Sequence, residues 1–281
     1  MSKILQKMIL KKKNFNNLKN NPRDNKNRED NNSIWIAGKN PCLTILKKNS
    51  RQIFEIIVTK NNYNFICEYL LNNSLKTHLK NIKIVENNFF NNVFSNDFVH
   101  QGIALRANKI NIKNQFELLE ELNLINQKTF LPDLLILDQV TDPQNVGAII
   151  RSAVAFNFKK IIFCERNSAK ESSSMIKASA GNTEFAEFYY ATNINNLLEK
   201  LKKIGYWCVG LAGEGKINQK GIAQYKNIAL VVGSEGDGIR NLVKKNCDLL
   251  VRIDTNSEVE SLNVSVATAI ALNEIYLNKN V

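Results

Sequence analysis

From residue 133 onward the chain is punctuated by short, unbroken apolar runs: "DLLILD", "KIIFC", "FAEFYY", "YWCVGL", "IALVVG" and "LLVRI". A strand with one wet face alternates apolar and polar residues, whereas a run that is apolar throughout needs cover on both faces. Helical stretches separate these runs. Few folds accommodate that alternation, and the simplest is an α/β architecture with a parallel sheet flanked by helices. Ligands of such sheets bind beyond the carboxyl ends of the strands. The unusual residues of this sequence collect at those ends.

The first such place is "LDQVTDPQNVGAIIRSAVAF", residues 137–156. Val146, Ile149, Ile150, Ala153 and Val154 form the core-facing stripe of a helix, while Gly147 and Arg151 share a different face. Asn145 stands where the helix begins, a natural cap position. The segment reads either as a capped helix with an exposed arginine or as a strand-end site with polar groups beyond what a turn requires. The second place is "IALVVGSEGDGIRNLVKK", residues 228–245, where a buried strand runs into Gly233, Gly236 and Gly238. The order GxxGxG is not the dinucleotide fingerprint, and Glu235 inside the loop would repel phosphate. A neutral or cationic ligand fits better. "GLAGEGKI", residues 210–217, imitates a P-loop but carries Ile217 where magnesium binding needs Ser or Thr. The third place is "VRIDTNSEVESLNVSVATAIALNEIYL", with Ser261 and Asn263 as possible caps of a long C-terminal helix. That helix is apolar almost all round from Leu262 to Leu272, so it is expected to be buried in the core or against a second copy of the chain.

Ahead of this region lie two others. Residues 1–30 hold nine Lys and Arg against three acidic residues, half of the net charge of +12, and few large apolar groups. A basic, mobile arm over 1–32 is expected. Residues 33–112 alternate helix and strand patterns ("GKNPCLTILKK", "QIFEIIVT", "YNFICEYLLN", "IKIVE", "FVHQGIALRAN", "KINIK"), which predicts a small α/β domain. "NQFELLEELNLINQ" has helical spacing and reads as part of a linker over 113–132, leaving 133–281 as the second domain.

Thirty-eight Lys and Arg against 26 Asp and Glu suggest a polyanionic partner, since Lys and Arg neutralise phosphate and release its counterions. Five cysteines without a CxxC pair, and only His78 and His100, supply neither metal-ligand spacing nor material for a Ser-His-Asp triad. No metal is expected, and the odd thiol count suits a reducing cytoplasm. No apolar run approaches the roughly 20 residues that span a bilayer. The basic N-terminus lacks the apolar stretch of a secretory signal; a mitochondrial presequence remains open, although Lys and Asn stand where such peptides favour Arg and Ser.

The three segments, in this order, resemble the signature motifs of the SpoU family of RNA ribose 2′-O-methyltransferases, in the SPOUT class. "IKASAGNTEFAEF", residues 176–188, is also similar to family sequence, so the likeness covers nearly all of 133–277. "GKNPCLTIL" and "VHQGIALR" look like the small RNA-binding domain of many members, a looser match. The resemblance implies a deep trefoil knot in the C-terminal domain, a homodimer, and S-adenosylmethionine as methyl donor. It matches Gly233, Ile253 and Leu262 to the residues whose backbone holds the cofactor. It matches Asn145, Arg151, Glu235, Ser261 and Asn263 to the family's polar set, with Arg151 as the catalytic residue. Ser152 and Ser234 replace the Thr and Ala frequent in the family. The two-domain layout resembles the subgroup acting on guanosine in large-subunit rRNA. A tRNA substrate, and a non-catalytic RNA-binding or assembly factor on the same fold, are the alternatives.

Overall fold

The computed structural model describes residues 32–94, 99–125, 131–258 and 261–279. The basic arm read over 1–32 thus falls almost wholly outside the described residues. The first sheet is built from β1 (Ser33–Ala37), α1 (Lys39–Lys48), β2 (Ile53–Val58), α2 (Lys60–Asn72), β3 (Ile82–Ile84), α3 (Asn87–Val93) and β4 (Ile103–Asn108). Its strand order is β1-β4-β2-β3, with β2 antiparallel to β4 and parallel to β3. Alternate residues of β2 serve opposite faces, as the two-residue period of a strand requires. Ile56 and Val58 pack with Ile45 and Leu70 on one side, while Ile57 meets Phe90 on the other.

The second sheet has eight strands in the order β10-β12-β9-β11-β6-β7-β8-β5, with β10 (Ile217–Asn218) and β5 (Ile112–Asn114) at its two edges. All six apolar runs are in it, as β6 (Leu134–Asp138), β7 (Lys160–Cys164), β8 (Glu187–Ala191), β9 (Trp207–Leu211), β11 (Ile228–Gly233) and β12 (Leu249–Arg252). Every recorded pairing is parallel. β11 is buried along its whole length, the outcome expected of a strand with no polar position. Leu135 and Leu137 join one core layer, Leu134 and Ile136 the opposite one. The helices α5 (Pro143–Ala155), α6 (Ser173–Ala178), α7 (Ile194–Ile204), α8 (Asn241–Asn246) and α9 (Val264–Lys279) supply the cover.

Two boundaries differ from the sequence reading. "KINIK" does not extend the first sheet: β5 (Ile112–Asn114) pairs in parallel with β8 at the edge of the second. The linker read over 113–132 is largely structure, because α4 (Gln115–Leu124) buries Leu118 and Leu122 with Leu197, Leu198 and Leu201 of α7. A capping box starts α4, with the Asn114 side chain accepting from the Phe116 and Glu117 amides and the Glu117 carboxylate accepting from the Asn114 amide. Periodicity shows that a helix has an apolar face but not which element covers it.

β6 and β11 mark the point where the strand order reverses. The chain runs outward from β6 to β7 and β8, then returns to the far side to lay down β9. Gly233 and Asp138 stand opposite each other at the carboxyl ends of this central pair. A reversal of that kind opens a crevice. Among the described residues no helix is long and apolar enough to cross a membrane, and no group of three or more His, Cys, Asp and Glu is placed to hold a metal ion.

Candidate active site

The first correction concerns the start of α5. Asp142, not Asn145, caps this helix: its carboxylate accepts from the amides of Gln144 at 3.0 Å and Asn145 at 3.3 Å, and Pro143 takes the first helical position. Asn145 sits three residues further on, and its side chain is free for another task. Its Nδ2 donates to Glu235 Oε2 at 2.7 Å, while its Oδ1 accepts from Asn263 Nδ2 at 2.9 Å. The same Asn263 amide also donates to Glu235 Oε1 at 3.3 Å. Three residues, one from each sequence segment, therefore close a triangle at the carboxyl end of the sheet. Asn263 Oδ1 accepts from the Ser265 amide at 2.9 Å and the Ser265 hydroxyl at 2.6 Å, so it caps α9 and turns its amide donor toward the triangle.

Glu235 reaches this position because its loop folds back on itself. Ser234 and Gly238 exchange two backbone hydrogen bonds of 3.1 Å, with Gly236 and Gly238 at φ +97° and +65°. A Cβ at Gly233 would collide with the Gly238 backbone, so no other residue lets the turn lie flat against the strand end. The far side of the turn is latched by two residues that the sequence reading missed. Asp138 is fully buried, and it accepts from the Arg240 amide at 3.0 Å, from Arg240 Nε at 2.8 Å and from Arg240 Nη2 at 2.7 Å. The hydrogen bond to Asp138 raises the pKa of Arg240. Cys164 lies beside the pair, donating to Asp138 at 3.5 Å, and burial pushes its thiol up to about 11. The available signal was a carboxylate closing the apolar run "DLLILD" and an arginine just past the glycine loop.

Two of the candidate cofactor residues stand at strand ends and the third precedes α9. Gly233 closes β11, and Ile253 follows β12 and packs on the core. Leu262 is half-buried directly before Asn263. β9 lies between β11 and β12, so the segment after it, the P-loop imitation, belongs to the same rim. Its Gly215 presses on β12: a Cβ there would stand 2.6 Å from the Arg252 amide nitrogen, and Arg252 Nη1 donates to the Gly215 carbonyl at 3.0 Å. Gly233 and Gly215 bring backbone close to this rim, and the charged side chain of the triangle is a carboxylate. Such a lining suits a neutral or cationic ligand held through the main chain.

Arg151 and Ser261 stand outside the triangle, and both are exposed. Arg151 emerges one turn after Gly147, at the seam between α5 and α6. That seam is tight, because a Cβ at Gly147 would come within 2.6 Å of the Ala178 Cβ. On α9, Thr268, Ala271, Leu272 and Ile275 are buried, whereas Val266, Tyr276 and Leu277 remain exposed at 48%, 37% and 51%. A single chain thus covers one face of this apolar helix and leaves Val266 and Leu277 open on the other, while the Tyr276 ring rests 5.9 Å from that of Phe156.

Comparison with known proteins gives consistent matches along the chain. A model of the SpoU rRNA methylase family matches residues 133–273, and one for RNA 2′-O ribose methyltransferase substrate binding matches residues 35–113. An uncharacterized tRNA/rRNA methyltransferase of Borreliella burgdorferi is 37% identical over 202 residues, which is 70% of this chain and 88% of that protein. The 23S rRNA (guanosine-2′-O-)-methyltransferase RlmB of Xylella fastidiosa is 31% identical over 242 residues, 85% of this chain and 94% of the relative. Among solved structures, the SpoU methyltransferase AviRb from Streptomyces viridochromogenes, in complex with the cofactor AdoMet, has a TM-score of 0.67 and 15% identity, covering 89% of this chain and 91% of that one. At that identity the likeness is one of fold.

Proposed function

That the chain belongs to the SpoU rRNA methylase family is the premise from which we propose its reaction: transfer of a methyl group from S-adenosylmethionine to a ribose 2′-hydroxyl of RNA, with a guanosine of 23S rRNA as the target. The observation that carries the reading is the triangle of Asn145, Glu235 and Asn263, which draws three distant segments to one strand-end rim. The likeness to the 23S rRNA (guanosine-2′-O-)-methyltransferase RlmB of Xylella fastidiosa, which runs over 85% of this chain, supports the guanosine target.

The donor's sulfonium supplies a methyl group already activated for attack by oxygen. A carboxylate at the glycine loop suits that cation, and the backbone at Gly233, Ile253 and Leu262 would hold the donor. What remains for the protein is to bring the ribose oxygen into line and to keep water out. Arg151 is assigned to the substrate. A guanidinium stays protonated and cannot serve as a base, so Arg151 orients the ribose or its phosphate and stabilises negative charge developing on the 2′-oxygen. The proton leaves to phosphate or water. Asn145 and Asn263 fix the Glu235 loop through its carboxylate, and Ser261 completes the polar set at the head of α9. The first sheet recognises RNA, whose structured regions are read by shape and by unpaired loops.

The family resemblance further implies a trefoil knot in the second sheet's domain and a homodimer working in the cytoplasm. The exposed Val266 and Leu277 on one face of α9 support the dimer, since a second copy would cover them.

The decisive experiment incubates the protein with labelled S-adenosylmethionine and unmodified 23S rRNA or tRNA transcripts, then maps the label. A 2′-O-methylguanosine in 23S rRNA is expected. Label confined to tRNA would reassign the substrate, and label on neither would leave an RNA-binding protein without this activity.

A further inference from the structure

The connection between the two sheets is only three residues long, from Asn108 at the end of β4 to Ile112 at the start of β5. A short tether of this kind could act as a hinge. Here both of its sides are gripped. Arg51, in the turn before β2, sends Nη1 to the Asn108 carbonyl at 3.2 Å and to Glu171 Oε1 at 2.6 Å. Glu171 in turn accepts from the Ile110 amide, within the tether, at 3.0 Å. The other edge of the guanidinium meets Glu184: Nη2 donates to Oε1 at 2.6 Å and Nε at 2.9 Å. The Ser50 hydroxyl donates to the remaining oxygen, Oε2, at 2.5 Å.

All four carboxylate oxygens are thus satisfied, and the side chains of Arg51, Glu171 and Glu184 are 2%, 4% and 2% exposed. Charges so deeply buried tolerate little displacement, because each partner that moves away strands a desolvated ion. Packing reinforces the lock. The adjacent residues Met175 and Ile176 of α6 are buried in the cores of different sheets, Met175 in the second and Ile176 in the first. The Ser173 hydroxyl at the head of α6 also donates to the Trp35 carbonyl of β1.

We infer that the Arg51–Glu171–Glu184 cluster and α6 lock the two sheets into one rigid body, making Arg51 a positioning residue that fixes how far the RNA-recognising sheet stands from the methyl-transfer rim. The protein then works as a fixed caliper. It selects RNA whose target ribose lies at a set offset from the structure gripped by the first sheet, with no closure of one sheet onto the other. The positioning role rests on the methyl-transfer reading; the rigidity does not.

The test has two arms. Spin labels on engineered amino acids at the exposed Glu68 of α2 and Glu199 of α7 report the separation of the sheets by pulsed electron resonance. One narrow distance is expected, unchanged when unmodified 23S rRNA is added; a broad distribution, or a shift on adding RNA, would overturn the lock without touching the reaction. In the second arm, Arg51→Met and the near-isosteric Glu184→Gln should broaden the distance and lower kcat on 23S rRNA by about tenfold or more, since misplacement of an ångström costs up to about a hundredfold. KM and the affinity for S-adenosylmethionine should hold within about threefold, as expected when positioning is lost and binding is not. Variants with unchanged kcat and a narrow distance would overturn the role of Arg51. A wild-type chain that methylates no RNA would overturn the reaction while the distance measurement still judges the lock.

Discussion

The active-site triangle and the inter-sheet cluster both join residues far apart in the chain through carboxylates, yet they are built in opposite ways. At the rim, one carboxylate, Glu235, is held by two neutral amides and remains partly open to solvent. At the junction, one guanidinium is enclosed by two carboxylates, and all four carboxylate oxygens accept hydrogen bonds. Neutral amide donors are easily exchanged, so the rim can rearrange around a ligand at small cost. A buried ion cluster cannot do this without exposing an uncompensated charge. The hydrogen bonding is therefore stiffer where the two sheets meet than at the candidate rim.

The contrast breaks first at Arg151. Arg151→Ala should abolish detectable methyl transfer, a loss of about a hundredfold or more for a group that stabilises developing charge. Donor binding by calorimetry should survive, and stability should move by no more than about 0.5 kcal/mol because the side chain is exposed. Next in size is Arg51→Ala, which strands two buried carboxylates and should cost about 3–5 kcal/mol in chemical denaturation. An equally large loss for Asn145→Ala would erase the distinction between stiff junction and soft rim.

Gly147→Ala sharpens the comparison, because this glycine lies where α5, which carries the rim residue Asn145, packs on α6, which bridges the two cores. The added methyl must push the helices apart, with an expected cost of about 1–3 kcal/mol and a fall in methyl transfer. Unchanged melting would mean that the seam is looser than it looks.

The smallest effect is a pH dependence at a third cluster, on the edge of the second sheet. There burial works against the Glu121 carboxylate, but Lys113, Lys160 and the Tyr189 hydroxyl outweigh it and hold its pKa at about 2, below the ordinary 4.5. A depressed carboxyl pKa stabilises the fold at pH above the unfolded value, and the contribution drains away as pH falls through the folded one. The difference in melting temperature between the wild type and Glu121→Gln should therefore be constant above about pH 4.5 and shrink toward about pH 2. A difference that does not change across that window would show that the charges there contribute nothing.

Much of the second sheet was legible because its signals are local. Six apolar runs report six strands of a sheet covered by helices, and Gly233, Gly236 and Gly238 report a turn that only glycine can make. The polar residues of the motifs were legible as well, through their likeness to family sequence. Their partners were not. Asn145 was read as a cap because it begins a helix, whereas Asp142 does that work and leaves Asn145 to Glu235. Asp138 closes an apolar run and Arg51 stands in the turn before β2, and neither position names its partner.

By itself, then, the sequence determined that this chain lays down a parallel sheet, that a glycine loop and a set of amides stand at its strand ends, and that a second α/β unit precedes it. Only the tertiary structure decided which of these groups meet. It closed the triangle across 90 and 118 residues, sank Arg51 between two acids, moved an apparent strand of the first domain to the edge of the second sheet, and turned an apparent linker into a packed helix. The reason is physical. A periodic pattern records how much water each residue avoids, which is a property of the segment alone. The identity of a polar partner depends on strand order and on the path of the connections, and those are settled only when the layers pack.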